Sequence, residues 1–188
     1  MFSKNKNIDK QNKLEIAGKE LSRGSLEAFH LLYEKYQNNA YRFCLRMLGD
    51  ESLAKDAFQE TFIKVYEHRR EFKGENFAAW LFTIARHTCL NMIRSQKEYD
   101  TFDEEFHSNQ KTHYTDVGMK DYIEKAIAKL PVALREAVIL REYEDCSYNE
   151  IAGILGIELS LAKVRVHRAR LILRKLLKPL MKELHESR

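Results

Sequence analysis

An all-α fold of two small helical domains joined by a flexible linker is predicted by three observations on this 188-residue sequence. Apolar residues recur at three- and four-residue spacing, and strict apolar–polar alternation never persists, so strand signals are nearly absent. Between Tyr99 and Gly118 the periodicity lapses into five acids, one lysine and scattered polar residues, the composition of a linker. Beyond it, Ser147 to Leu177 reads as a helix-turn-helix whose second helix is apolar on one side and basic on the other. A hydrophobic content of 44% is enough to fill real cores.

Residues 1–23 read as a polar, lysine-rich tail without the apolar core of a secretory signal. The first domain, residues 24–98, holds three helices. Ser25 is placed to cap a helix to about Leu48, lined by Phe29, Tyr33, Tyr36, Ala40, Phe43 and Met47, with Gly49-Asp50 ending it. A second helix, about Ser52 to Arg70, buries Ala54, Phe58, Phe62 and Val65 and turns Asp56, Gln59, Glu60 and Glu67 elsewhere. Asn76 is placed to cap a third, Phe77 to about Arg94, with a stripe of Leu81, Ala85, Thr88 or Cys89, and Met92. Residues 99–118 form the acidic linker. Fully extended, some twenty residues reach on the order of 70 Å, about 20 base pairs of duplex.

The second domain, residues 119–188, starts with a helix from about Met119, followed by one with Pro131 in its first turn that runs through Leu140. Ser147-Tyr148-Asn149-Glu150 has the spacing of a capping box, so a short helix starts at Tyr148 and ends where Gly156 supplies a positive φ. Ser160 is placed to cap the next helix, with Ala162, Val166, Ala169, Leu173 and Leu176 on its apolar side and Lys163, Arg165, Arg168, Arg170, Arg174 and Lys175 on the rest. From Ser160 to Arg188 nine Lys/Arg face two acids, a net of +7 in a chain whose formal charge is only +4. Capped short helix, glycine turn and basic second helix together point to DNA contact, with phosphates as the charge partner.

Other function classes find little here. Cys44, Cys89 and Cys146 are far apart and odd in number, which excludes a disulfide framework and a zinc-ligand spacing and leaves buried free thiols. The seven histidines form no H-x-x-x-H pair, and there is no Gly-rich phosphate loop or nucleophile elbow. No catalytic constellation, metal site or cofactor is expected. No apolar run approaches membrane-spanning length, so the expected location is the cytoplasm.

Asp56-Ala57-Phe58-Gln59-Glu60-Thr61-Phe62 resembles the D-A-x-Q-E-x-F run of sigma-70 family factors. Phe77-Ala78-Ala79-Trp80-Leu81-Phe82-Thr83-Ile84-Ala85-Arg86 is similar to the F-x-x-W-L-x-x-I-A-R stretch that follows it in that family, and Lys163-Val164-Arg165-Val166-His167-Arg168-Ala169-Arg170 to its K-S-R-L-H-R-A-R recognition helix. With two DNA-binding regions and a short linker, the chain resembles the small extracytoplasmic-function (ECF) group. The resemblance implies a factor that joins core RNA polymerase and directs promoter-specific initiation, making no covalent bond itself. It implies core-polymerase contacts by Asp56, Gln59, Glu60 and Phe62. On the third helix it implies work on the opened −10 element by Trp80, Thr83, Arg86, His87, Asn91 and Arg94. On the recognition helix it implies −35 contacts by Ser160, Leu161, Lys163, Val164, Arg165 and Arg168. Promoter DNA, core polymerase and an anti-sigma factor are the implied partners.

Five positions depart from the family pattern: His87 replaces a frequent asparagine, Ser160 a glycine, Leu161-Ala162 a Thr-Val, and Val164 a serine. Fewer hydroxyls weaken phosphate anchoring there, while Leu161 and Val164 suit thymine methyl groups. A stand-alone helix-turn-helix regulator that binds operators without polymerase is the alternative reading.

Overall fold

The computed structural model describes residues 13–73, 76–102 and 118–178, and among these every regular element is helical. We number eight α-helices in chain order. They are α1 (13–22), α2 (Leu26–Leu48), α3 (Glu51–Glu67), α4 (Phe77–Phe102), α5 (Met119–Ala128), α6 (Val132–Glu142), α7 (Tyr148–Leu155) and α8 (Leu159–Leu176). Most boundaries follow from the capping residues. The Ser25 hydroxyl accepts from Ala28 N, Asp50 from Leu53 N and Asn76 from Ala79 N. Gly49 closes α2 at φ 72°, its N–H donating to Leu45 O.

Three boundaries differ from the sequence reading. The supposed tail contributes α1, whose Ala17 and fully buried Leu21 pack into the cluster that holds Leu32, Phe72 and Leu81. Two apolar residues four apart in a lysine-rich stretch are a short signal, and the charged background hid it. Helix α4 continues to Phe102, past the expected start of the linker. Helix α8 begins at Leu159 with Glu158 as its N-cap residue, so the exposed Ser160 lies in the first turn and caps nothing.

Helices α1–α4 form one unit and α5–α8 a second, and the two are docked. A continuous apolar cluster runs from Phe43, Met47, Phe82 and Ala85 to Ile127, Ile139, Leu140 and Ile151. Truncating a fully buried side chain such as Phe43 removes about 3–5 kcal/mol. Polar contacts also cross the junction. Arg135 Nη1 donates to Met47 O (2.6 Å), where the end of α2 leaves carbonyls without helical partners. Asn39 donates to Glu144 (2.7 Å), Asn76 to Glu150 (2.7 Å), and the Arg46 guanidinium lies 3.8 Å from the centre of the Tyr143 ring.

Candidate functional site

The helix-turn-helix is fixed locally before anything else packs on it. Ser147 Oγ accepts from Glu150 N (3.2 Å) and the Glu150 carboxylate accepts from Ser147 N (2.7 Å), the reciprocal box the spacing predicted. Hydrogen bonding from the Ser147 hydroxyl and backbone N–H holds the Glu150 carboxyl below the usual carboxylate range. Gly156 ends α7 at φ 64°. Helix α8 then lies close to α6 and α7 because what it buries is small: Ala162, Val166 and Ala169, all at 0% exposure. Its outward face presents Ser160, Leu161, Lys163, Val164, His167 and Arg168, with Leu161 and Val164 each 41% exposed.

Arg165 is not on that face. Its Nη1 lies 3.1 Å from Oε1 of Glu136, a carboxylate only 2% exposed between α6 and α8. The position is next to Val166 on the helix, so its side chain skirts the core and meets the one buried acid there. Arg170, also read as part of the free basic surface, is bound by Glu142 at 2.6 and 2.9 Å, and that carboxylate raises its pKa.

On α4 the six expected residues divide in two. His87, Asn91 and Arg94 are exposed at three- and four-residue spacing. Partial burial, and then the neighbouring Arg86, lower the His87 pKa, so its imidazole is neutral at pH 7. Trp80 is half-buried against Phe72 and Phe77, with ring centres 5.3 and 5.9 Å away, and Thr83 spends its hydroxyl on Ala79 O (2.9 Å). Arg86 points toward the second unit, its Nε 2.8 Å from Oε2 of the same Glu136.

On α3, Asp56 and Gln59 are exposed, Glu60 is paired to Lys64 (2.6 Å), and Phe62 is 5% exposed. Phe62 still forms part of the floor of an open groove of about 530 Å³ between α2 and α3, with Phe29, Tyr33, Phe58, Gln59, Ile63, Tyr66 and Glu67. The rings interlock edge to face, Tyr33 to Phe62 at 4.8 Å and Phe29 to Tyr66 at 5.4 Å. Sequence reasoning missed Ile63, which is 58% exposed, and it counted Phe29 and Tyr33 as core. The available signal was an isoleucine four residues from Gln59 on an otherwise polar face.

Nucleophilic chemistry has no footing at the thiols. The Cys89 thiol, hydrogen-bonded with Cys44 and buried, is held far above the ordinary thiol range, and burial pushes Cys146 up to about 12. Among the described residues no cluster of His, Cys, Asp or Glu has the makings of a metal site, and no helix is long and apolar enough to cross a membrane.

A helix-turn-helix whose second helix is basic, in an all-helical chain, defines a DNA-binding factor. Residues 32–99 match the family model of sigma-70 region 2, and residues 120–173 that of sigma-70 region 4. The chain belongs to the sigma-70 family, in its ECF group. It is 30% identical over 178 residues to the ECF RNA polymerase sigma factor SigW of Bacillus subtilis, covering 86% of this chain and 95% of that one. To the RNA polymerase sigma-H factor of Pseudomonas aeruginosa it is 34% identical, covering 87% and 93%. Among solved structures it is similar to the sigma factor RpoE, bound to the anti-sigma factor NepR, from Bartonella quintana, with a TM-score of 0.71, 27% identity, and 81% and 98% of the two chains covered. The chain is a sigma factor: it binds core RNA polymerase and directs promoter-specific transcription initiation.

Proposed function

We propose the following division of labour among the residues. Lys163 and Arg168, with Leu161, Val164 and Ser160, contact the −35 element, the cations meeting phosphates and base edges and the apolar pair meeting thymine methyls. His87, Asn91 and Arg94 handle the opened −10 element, with Trp80 as an aromatic surface for an unstacked base and Thr83 beside it. Arg165 and Arg86, both held by Glu136, stand apart from these two sets. The α2/α3 groove, lined by Gln59 and floored by Phe62, takes core polymerase, together with Asp56 and Glu60 of the same helix. The observation that carries this reading is the outward set of α8, in which two cations without a partner among the described residues alternate with two exposed aliphatic side chains, on the helix that follows the capped α7 and its glycine turn.

In this reading the polymerase supplies the chemistry, the factor acts in the cytoplasm, and the first region takes in α1–α4 and the second α5–α8. The similar sigma factor from Bartonella quintana, crystallised with an anti-sigma factor, supports an anti-sigma partner for this chain as well. A promoter-library transcription assay with purified core polymerase tests the reading. The expected result is a set of start sites that appear only when core and this chain are both present. Specific footprints on an operator without polymerase would instead favour the stand-alone regulator.

A further inference from the structure

Helix α1 (13–22) lies ahead of residue 32, where the match to sigma-70 region 2 begins, yet it is sealed into the first unit. Ala17 and Leu21 are buried in the cluster that holds Phe72, Phe77 and Leu81, with Trp80 packed against it. Between Ala17 and Leu21 stands Gly18, buried in mid-helix. Alanine is much the better helix former at such a position, so the missing side chain carries a local cost. The reason for it lies across the interface. A Cβ on Gly18 would fall 2.5 Å from Cε1 and 3.2 Å from Cζ of Phe72, well inside van der Waals contact. The Phe72 ring therefore rests on the bare backbone of α1.

Phe72 is packed on other sides as well. It is 7% exposed at the end of the turn Arg69–Glu71, edge-on to Phe77 at 5.8 Å, and its ring centre lies 5.3 Å from that of Trp80 with the planes tilted by 43°. Phe77 adds a second support for the indole, with ring centres 5.9 Å apart. Gly18, Phe72 and Trp80 thus form a line of contacts from α1 to α4, and a displacement of the middle ring is felt at both ends.

We propose that α1 is a positioning element for the −10 site: Gly18 admits the Phe72 ring, and Phe72 fixes the angle at which Trp80 meets an unstacked base. This rests on the reading of Trp80 as the platform for that base. Stacking gains most when the ring is already held, because rotamer freedom lost on binding is subtracted from the contact. Trp80 is half-buried, so it keeps open surface while its neighbours restrain it. The platform belongs to the stretch that matches region 2, and a helix outside that stretch sets its pose.

Trp80 is the one tryptophan of the sequence, so fluorescence of the full-length chain reads its surroundings directly. Gly18→Ala should shift the emission maximum and alter quenching by acrylamide, with helix content by circular dichroism retained. Phe72→Leu should do the same. Gly18→Ala added to Phe72→Leu should change neither signal further, since the ring atoms it would strike are gone. With core polymerase, Gly18→Ala should cut transcription from closed duplex by about fivefold or more, the lower end of what one base–aromatic stack contributes, and recover in part on a template already mismatched at the −10 element. If Gly18→Ala alone loses helix content, its return in the double variant supports the Gly18–Phe72 contact, and continued loss overturns it. An unmoved Trp80 signal in folded Gly18→Ala, or additive changes in the double variant, overturns the proposal and leaves the role of Trp80 standing. A moved signal with parental transcription on both templates overturns it by removing Trp80 from the −10 site.

Discussion

Helices α4 and α8 each carry a face that we assign to DNA, but they are anchored differently. Helix α8 buries Ala162, Val166 and Ala169, short side chains that let it lie close to its neighbours while contributing modest apolar area. Helix α4 buries Phe77, Leu81, Phe82, Ala85 and Cys89 and is central to the core of the first unit and to the junction. On α8, function and stability are therefore separable. On α4 they are entangled, because Trp80 is both a candidate base platform and a ring packed on Phe72 and Phe77.

The sharpest contrast comes from exposed cations against a packed ring. Replacing Lys163 and Arg168 together by alanine should reduce transcription from a −35-dependent promoter about a hundredfold or more, at about 1–3 kcal/mol per contact, with the melting temperature unchanged. A drop in melting temperature of several degrees would place α8 in the same entangled class as α4. Trp80→Ala should lower stability by roughly 2 kcal/mol in chemical denaturation. Asn91→Ala should leave stability alone and lose activity on closed duplex, with partial recovery on a template already mismatched at the −10 element. Equal Asn91→Ala defects on both templates would remove the melting role.

A smaller effect probes how α8 is aimed. Ser147→Ala breaks the capping box and should cost about 1 kcal/mol, seen as an earlier denaturation midpoint with an unchanged slope. The smallest concerns pH. Burial at the junction pushes the Glu144 carboxyl up to about 7, against the opposing pull of Asn39, Arg46 and Arg42. The docked state thus holds a proton that the free side chain releases near the ordinary glutamate value of 4.5. Because the docked state binds more protons between those values, its stability falls as pH rises through that window and levels off above about 7. Glu144→Gln should flatten that slope in thermal unfolding followed from pH 5 to 8; a slope equal to the parent's would assign the dependence to other groups.

Much of this was legible in the chain itself. The caps at Ser25, Asn76, Ser147 and Gly156 were readable because each is a local backbone requirement met by residues within a turn. Periodicity identified Leu81, Ala85, Ala162, Val166 and Ala169 as buried for the same reason. What failed was non-local. Nothing near Arg165 or Arg86 in sequence announces Glu136, which lies 29 and 50 residues away, so both arginines were read as free. Helix α1 was missed because its burial depends on Phe72 and Leu32 rather than on its own pattern. The groove escaped because an aromatic stripe looks the same whether a second helix covers all of it or leaves part open.

The proposed division of labour places polymerase on α3 and DNA elsewhere on the chain. Footprinting of a two-element promoter, with and without core polymerase, tests it most directly when the parent is compared with Asp56→Lys/Gln59→Lys/Glu60→Lys. The free parent should bind weakly and in a salt-sensitive way, and core should convert this to protection at both elements. The triple variant should keep the weak binding and lose the conversion. Protection at both elements by the triple variant with core, equal to the parent's, would contradict the claim.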